Sequence, residues 1–111
     1  MTRVIAGKAK GRKLTVPPSG TRPTTDRIRE SIFARLESWG VLEGENVADL
    51  FAGSGALGIE ALSRGAARAT FVDVSGPAVG VVKKNLAATG FQSVSIVIRK
   101  KVLSALSQLG P

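Results

Sequence analysis

A glycine-rich segment near the middle of the chain constrains its fold more than any other feature. Residues 49–58 read Asp-Leu-Phe-Ala-Gly-Ser-Gly-Ala-Leu-Gly and overlap a short, nearly continuous apolar run, Val47–Phe51. Gly53, Gly55 and Gly58 have the spacing GxGxxG, which alone is a weak signal. Here it follows a predicted strand and opens a predicted helix, and that context is typical of a turn that binds a nucleotide-like cofactor in a parallel α/β sheet.

Two carboxylates on either side of this turn narrow the class of cofactor. Asp49 lies four residues before Gly53, and Asp73 lies 20 residues after it, at the end of the next predicted strand. A carboxylate at Asp49 suits the ammonium and sulfonium of S-adenosylmethionine and suits a dinucleotide pyrophosphate poorly. Asp73 is placed to accept hydrogen bonds from ribose hydroxyls, and free N–H groups at the helix start favour the methionine carboxylate.

Simpler explanations of these residues remain open at this point. The glycines can serve only to make a close turn, and Asp73 can serve only to cap the next helix. Asp49 can serve only to accept hydrogen bonds from nearby backbone N–H groups.

From residue 46 onward, the chain alternates predicted strands and helices. The strands are Val47–Phe51, Ala69–Val74 and Val94–Ile98, and the helices are 55–64, 76–90 and Val102–Leu109. This order implies a parallel sheet with right-handed crossovers. The second helix begins at a Ser75-Gly76-Pro77 cap.

The first 45 residues predict two further elements. Residues 3–16 predict a β-hairpin around the loop 7–11, and an isolated hairpin needs support from the rest of the fold or from a ligand. A helix is predicted from Thr24-Thr25-Asp26 to a stop at Gly40. Its apolar stripe is expected to face the core; the stripe comprises Ile28, Ile32, Leu36 and Trp39, with Phe33 at its margin.

The composition excludes several classes of protein. At 111 residues with 43% hydrophobic residues, the chain is one domain at most and can bury a core. It contains neither cysteine nor histidine, which excludes disulfides and thiolate chemistry and removes the commonest metal ligand, so we expect no metal. No apolar run approaches the length of a membrane span, so no membrane partner is expected and a cytoplasmic location is the default.

The charge is strongly basic and unevenly distributed. The net charge is +8, and the first 25 residues contain six basic residues and no acidic residue: Arg3, Lys8, Lys10, Arg12, Lys13 and Arg22. This pattern favours binding to a phosphate backbone, without separating RNA from DNA. The alternative is a solvated basic tail.

Two long stretches resemble a known family. Residues 20–33 read Gly-Thr-Arg-Pro-Thr-Thr-Asp-Arg-Ile-Arg-Glu-Ser-Ile-Phe, and the glycine-rich segment continues to Ala66 as Ile-Glu-Ala-Leu-Ser-Arg-Gly-Ala. Together they resemble the RsmD family of bacterial 16S rRNA (guanine-N2)-methyltransferases, as do Arg3–Gly11 and Lys84-Asn85-Leu86. The resemblance implies an α/β, Rossmann-like class I methyltransferase core and S-adenosylmethionine as donor. It also implies that the acceptor is a guanine amine in 16S rRNA or in an assembling small ribosomal subunit.

The resemblance also implies roles for individual residues. The cofactor would be held by Asp49, Phe51, Ala52, Gly53, Ser54, Gly55, Gly58, Asp73 and Val74. The RNA would be held by the basic residues of the hairpin, with Arg22, Thr24 and Arg27 nearest the target base. For Arg27 and Arg29, a solvated helix face is the alternative.

The chain departs from the family pattern in two places. The loop after the third strand reads Arg99-Lys100-Lys101 where the family offers a polar or acidic residue to adenine. The family positions its target amine with an acidic or amide residue followed by Pro-Pro and an aromatic residue. The only Pro-Pro here is Pro17-Pro18, between Val16 and Ser19, and there is no tyrosine. We therefore expect no catalytic residue in this chain, weak binding of the donor and little or no turnover.

This interpretation also predicts the organisation of the chain. Residues 1–20 would form the basic hairpin and linker, and residues 21–111 a partial cofactor-binding domain with an incomplete parallel sheet. The first parallel strand would lack a neighbour and expose an apolar edge. The alternatives are a non-catalytic donor- or RNA-binding fragment, a methyltransferase acting on DNA adenine or another RNA, and a nicotinamide-dependent enzyme.

Overall fold

Two sheets organise the fold in this computed structural model, which describes residues 2–16, 26–50 and 52–101. The strands are β1 Thr2–Arg3, β2 Lys13–Leu14, β3 Asn46–Asp49, β4 Arg68–Asp73 and β5 Ser95–Arg99. The helices are α1 Asp26–Ser38, α2 Ala56–Ser63 and α3 Gly76–Thr89. A single 3₁₀ turn, Gln92–Val94, precedes β5.

The parallel sheet has the order β3-β4-β5 and confirms the α/β prediction. Asp49 pairs in register with Phe71, and Asp73 pairs with Arg99, so the carboxyl ends of all three strands lie at one edge. The Ser75 hydroxyl caps α3 by accepting the Ala78 N–H at 3.3 Å, as the sequence predicts. The predicted helix Val102–Leu109 lies outside the described residues.

The core lies between the parallel sheet and the helices that connect its strands. Helix α2 contacts β3 and β4, and α3 contacts β4 and β5. Ile59, Phe71 and Val82 are fully buried at their meeting point. Burying a side chain of this size stabilises the fold by about 1.5–3 kcal/mol, so these three residues, one from each element, join the helices to the sheet.

The N-terminal hairpin is antiparallel and packs against α2. Its strands are only two residues long, shorter than the sequence predicts, although Val4 N–H to Arg12 O at 3.0 Å extends the pairing. The buried Glu60 carboxylate accepts the N–H groups of Ile5 and Ala6 at 2.8 and 3.1 Å. The hairpin is therefore supported by the fold, which is one of the two possibilities expected from its short length.

Helix α1 is oriented differently from the prediction. Arg29 and Phe33 are its buried residues, whereas Ile28, Ile32 and Trp39 of the predicted core-facing stripe are 53%, 41% and 67% exposed. The prediction was wrong for these three residues, although Leu36 of the stripe packs partly buried against the core. The polar contacts of Arg29 account for this orientation. Its guanidinium donates to the Arg3 carbonyl oxygen and to the Asp26 carboxylate, and it lies 3.6 Å from Glu60.

Two residues of the predicted stripe, Ile32 and Leu36, line an open groove along β3. Among the described strands, β3 pairs only with β4, so its other edge is free, as the sequence predicts. The groove has a volume of about 530 Å³, and its lining includes Ile32, Leu36, Val47 and Leu57. Within the described ranges, no helix has both the length and the apolar character to span a membrane.

Candidate functional site

The glycine turn, defined here as residues 52–58, joins β3 to α2 at the carboxyl edge of the sheet. Gly53 and Gly55 have φ values of +54° and +80°, which side chains with a Cβ adopt only with strain. The Gly55 N–H donates to Ala52 O at 2.6 Å, and the Ala52 N–H donates to Val72 O of β4 at 3.0 Å. The turn is thus closed on itself and tied to the next strand.

Gly58 allows α2 to approach the sheet closely. A Cβ at this position would lie 2.4 Å from the Phe71 ring, a separation that real side chains essentially never show. The three glycines therefore serve the purposes that the fingerprint predicts, namely a tight turn and close contact between helix and strand.

Asp73 holds the glycine turn from the end of β4. Its Oδ2 accepts the Gly53 N–H at 3.0 Å, and its Oδ1 accepts the Ser75 N–H at 2.9 Å. Each carboxylate oxygen can accept a further hydrogen bond. The side chain is half-buried and fixes the turn through both carboxylate oxygens.

Asp49 lies at the end of β3 beneath the first turn of α2. It is 9% exposed, and its Oδ2 accepts the Gly58 N–H at 3.2 Å. The Ser54 hydroxyl likewise accepts the Ala56 N–H at 3.3 Å. The expectation of free N–H groups at the helix start is therefore wrong at Ala56 and Gly58, because Asp49 and Ser54 already supply acceptors there.

The remaining predicted cofactor residues differ in exposure. Ala52 and Ser54 are buried, Val74 is 62% exposed, and Phe51 lies outside the described residues. At the end of β5, the Arg99 Nε donates to the Val74 carbonyl oxygen at 3.3 Å. A guanidinium therefore lies beside Val74.

The predicted RNA-binding residues that the structure describes all lie on the surface. They are Arg3, Lys8, Lys10, Arg12, Lys13 and Arg27. Arg22 and Thr24 lie outside the described residues. The Lys8 N–H donates to Ser63 O at 2.8 Å, at the opposite end of α2 from the glycine turn. Since an eight-residue helix is about 12 Å long, the Lys8 backbone lies about one helix length from the glycine turn.

Three buried polar side chains that the sequence analysis missed hold the hairpin in place. They are Glu60 and Ser63 on α2 and Asn85 on α3, each at most 2% exposed. The Ser63 hydroxyl donates to Ala6 O at 2.6 Å and accepts the Ala9 N–H at 2.9 Å. The available signal was that these polar residues interrupt otherwise apolar helix faces, where a buried polar group needs a specific partner.

Arg64 joins α1 to α2 through three carboxylates. It donates to Glu60 at 2.8 Å and to Glu30 and Glu37 at 3.0 Å each. Burial lowers the pKa of Arg64, but the hydrogen bonds to Glu60, Glu30 and Glu37 outweigh this effect and leave that pKa above its ordinary value. The guanidinium therefore stays charged at neutral pH, and it lies 5.3 Å from the centre of the Phe33 ring.

The fold and the glycine turn together define a Rossmann-like core of the class I methyltransferases, with an incomplete sheet. The chain matches the family model "Conserved hypothetical protein 95" over residues 2–111. It belongs to that family, which is the RsmD family.

Relatives in two bacteria are similar over much of this chain. "Ribosomal RNA small subunit methyltransferase D" of Escherichia coli K12 is 45% identical over 97% of this chain and 54% of its own length. "Putative rRNA methyltransferase YlbH" of Bacillus subtilis is 52% identical over 76% of this chain and 45% of its own length. The chain thus spans about half the length of the curated relatives it matches.

A solved structure has the same fold. That of "Putative methyltransferase yhhF" from Escherichia coli aligns with a TM-score of 0.85 at 45% identity, covering 98% of this chain and 58% of the other. The aligned part includes nearly all of the hairpin, α1 and the parallel sheet described above.

Proposed function

We propose that this chain provides the cofactor-binding part of an S-adenosylmethionine-dependent rRNA methyltransferase. The observation that carries the proposal is the position of Asp49 and Asp73 on opposite sides of the glycine turn, at the carboxyl edge of a parallel sheet. Ligands bind at this edge in open α/β folds. The names of the relatives add the reaction class and the substrate class.

The residues suit the two ends of S-adenosylmethionine. Asp49 supplies negative charge near the methionine ammonium, and Asp73 supplies acceptors for the ribose hydroxyls. Val74 offers an exposed apolar surface to the adenine ring beside Asp73. The role proposed for the described residues is to bind the donor and not to position the acceptor amine.

We propose more specifically that the acceptor is the N2 amine of a guanine in 16S rRNA, either free or in an assembling small subunit. The reaction would take place in the cytoplasm. The basic hairpin, defined as residues 2–16, would bind the phosphate backbone, and Arg27 would lie nearer the target base. Five exposed basic residues of the hairpin and the exposed Arg27 support this role.

Calorimetry tests the cofactor directly. We expect S-adenosylhomocysteine to bind and NAD to show no heat of binding. Asp73→Asn should weaken S-adenosylhomocysteine binding about tenfold or more, since hydrogen bonds to charged groups are worth roughly 1.5–3 kcal/mol. Ser75→Ala removes a helix cap beside the same site and should leave the affinity nearly unchanged. Binding of NAD alone would contradict the proposal.

Two sets of alanine substitutions test the RNA-binding surface. One set removes four positive charges from the hairpin, and the other removes four positive charges elsewhere. Replacing Lys8, Lys10, Arg12 and Lys13 with alanine should weaken RNA binding and lower the slope of log K against log salt by about 3. The control replaces four exposed basic residues elsewhere, namely Arg35, Arg68, Lys83 and Lys84. Equal loss of affinity in both variants would show that net charge alone binds the RNA.

The target is identified from the product. Labelled methyl groups transferred from S-adenosylmethionine should appear as N2-methylguanosine in 16S rRNA, and only traces are expected from this chain alone. Label in methyladenine, in DNA or in other RNA at the same level would contradict the finer proposal.

A further inference from the structure

One buried amide joins the glycine turn to the base of the basic hairpin. Asn85, on α3, is 1% exposed. Its Nδ2 donates to Ser54 O of the turn at 2.7 Å and to Thr15 O, at the end of the hairpin, at 2.8 Å. Its Oδ1 accepts the Thr15 N–H at 2.7 Å. A single side chain therefore contacts two segments that are about 40 residues apart in sequence.

The bond to Ser54 fixes the peptide plane between Ser54 and Gly55. The Ser54 carbonyl oxygen of this peptide accepts a hydrogen bond from Asn85 Nδ2, and its Gly55 N–H donates to Ala52 O at 2.6 Å. Both polar groups of the peptide are thereby held. Since Gly53 and Gly55 allow the backbone unusual freedom, this restraint maintains the shape of the turn against which the cofactor would lie.

The pair of bonds to Thr15 fixes the end of the hairpin. Asn85 satisfies both the N–H and the carbonyl oxygen of this residue, as a neighbouring β-strand would. Thr15 directly follows β2, so its position determines where the basic hairpin ends relative to the glycine turn. Both hydrogens of the amide and its oxygen are engaged, and a buried polar group that loses its partner is unfavourable.

We propose that Asn85 is a positioning residue that couples the cofactor site to the RNA-binding surface. The inference rests on the proposed function of these two sites. A ligand that orders the glycine turn strengthens the bond from Asn85 to Ser54 and so also restrains Thr15. By linkage, RNA bound to the hairpin tightens cofactor binding by the same factor. Asn85 would then favour the protein state in which donor and RNA are bound together.

Hydrogen exchange at the Thr15 amide tests the coupling within the wild-type chain. The amide is bonded to Asn85 and lies outside the proposed cofactor contacts, so S-adenosylhomocysteine affects it only through the protein. We expect saturating S-adenosylhomocysteine to slow this exchange about fivefold or more. Binding without any effect on Thr15 would overturn the inference and leave the proposed function standing. Absence of binding would refute both.

Variants identify the residue that carries the effect. In Asn85→Ala, the slowing at Thr15 should disappear, and the ratio of S-adenosylhomocysteine dissociation constants without and with RNA should fall from about 5 to about 1. Asn85→Asp keeps the volume and the acceptor for the Thr15 N–H but loses both N–H donors, and it should give the same result. It provides a second test if the alanine variant does not fold.

Thr89→Ala is the matched control. Its hydroxyl lies one turn further along α3 and bonds only to the carbonyl oxygens of Asn85 and Leu86. This variant should lose some stability and keep both the slowing at Thr15 and the ratio of dissociation constants. If it loses the coupling as Asn85→Ala does, general destabilisation explains the loss and the inference fails. If the Asn85 variants keep the coupling, Asn85 has no positioning role.

Discussion

At the scale of single residues, Glu60 carries the largest share of the polar contacts between the hairpin, α1 and α2. It is 1% exposed, accepts two backbone N–H groups of the hairpin, and lies between the guanidinium groups of Arg29 and Arg64. Glu60→Gln should lower the free energy of unfolding by about 3–5 kcal/mol, because it removes the buried carboxylate that faces Arg29 and Arg64, whose other carboxylate partners are about half exposed. Urea denaturation measures this loss.

The control for this change is Glu37→Gln on the same network. Glu37 also bonds to Arg64, but its side chain is 48% exposed. Solvent-exposed pairs are typically worth less than about 1 kcal/mol. A similar loss for both variants would mean that burial of Glu60 does not matter.

The sequence was sufficient to predict the positions of some polar residues and not those of others. The positions of Asp49 and Asp73 at the ends of β3 and β4 were predictable because the spacing around GxGxxG fixes where a strand ends. Asn85 and Glu60 were not, because their partners are backbone groups of the distant hairpin, and no local pattern shows which backbone groups will meet a helix. The same limit explains the error at Arg29, which is buried by contacts with Arg3 and Glu60.

At the scale of elements, close contact between the hairpin loop and α2 depends on Gly7. A Cβ at Gly7 would lie 1.8 Å from Ser63 O, whereas nothing lies within 4 Å of a Cβ at Gly11. Both glycines have nearly the same φ, +86° and +85°. Gly11→Ala should therefore report conformational strain alone, about 1–2 kcal/mol, and Gly7→Ala should cost about 1–3 kcal/mol more from the clash.

Unfolding in urea measures both losses, and exchange of the Lys8 amide locates the damage. This amide donates to Ser63 O, so Gly7→Ala should speed its exchange and Gly11→Ala should not. Equal losses of stability in the two variants would show that the loop moves away from α2 at no cost.

The order of strands and helices from β3 to β5 was predictable because apolar runs, Gly and Pro mark each boundary. The parallel sheet followed from that order alone. The orientation of α1 did not follow, since an apolar stripe identifies a helix but not what its stripe contacts. Ile28, Ile32 and Trp39 form a regular stripe, yet tertiary contacts place Arg29 and Phe33 inward.

At the scale of the whole molecule, both edge strands of the described sheet, β3 and β5, have an unpaired edge, and that of β3 borders the apolar groove. The groove combines an unpaired strand with exposed apolar side chains on α1 and α2. Such edges pair readily with another polypeptide. A second copy of this chain carries the same edge and the same groove and can pair with it.

We therefore predict concentration-dependent self-association of this chain through the groove. Ile32 lines the groove and is 41% exposed, so Ile32→Lys adds a charge there and should weaken association at least tenfold. Ile96, on β5 at the opposite edge of the sheet, is 59% exposed, and Ile96→Lys should leave association unchanged. Sedimentation measures the association constants. A monomer at all concentrations, or equal effects of the two substitutions, would contradict pairing at β3.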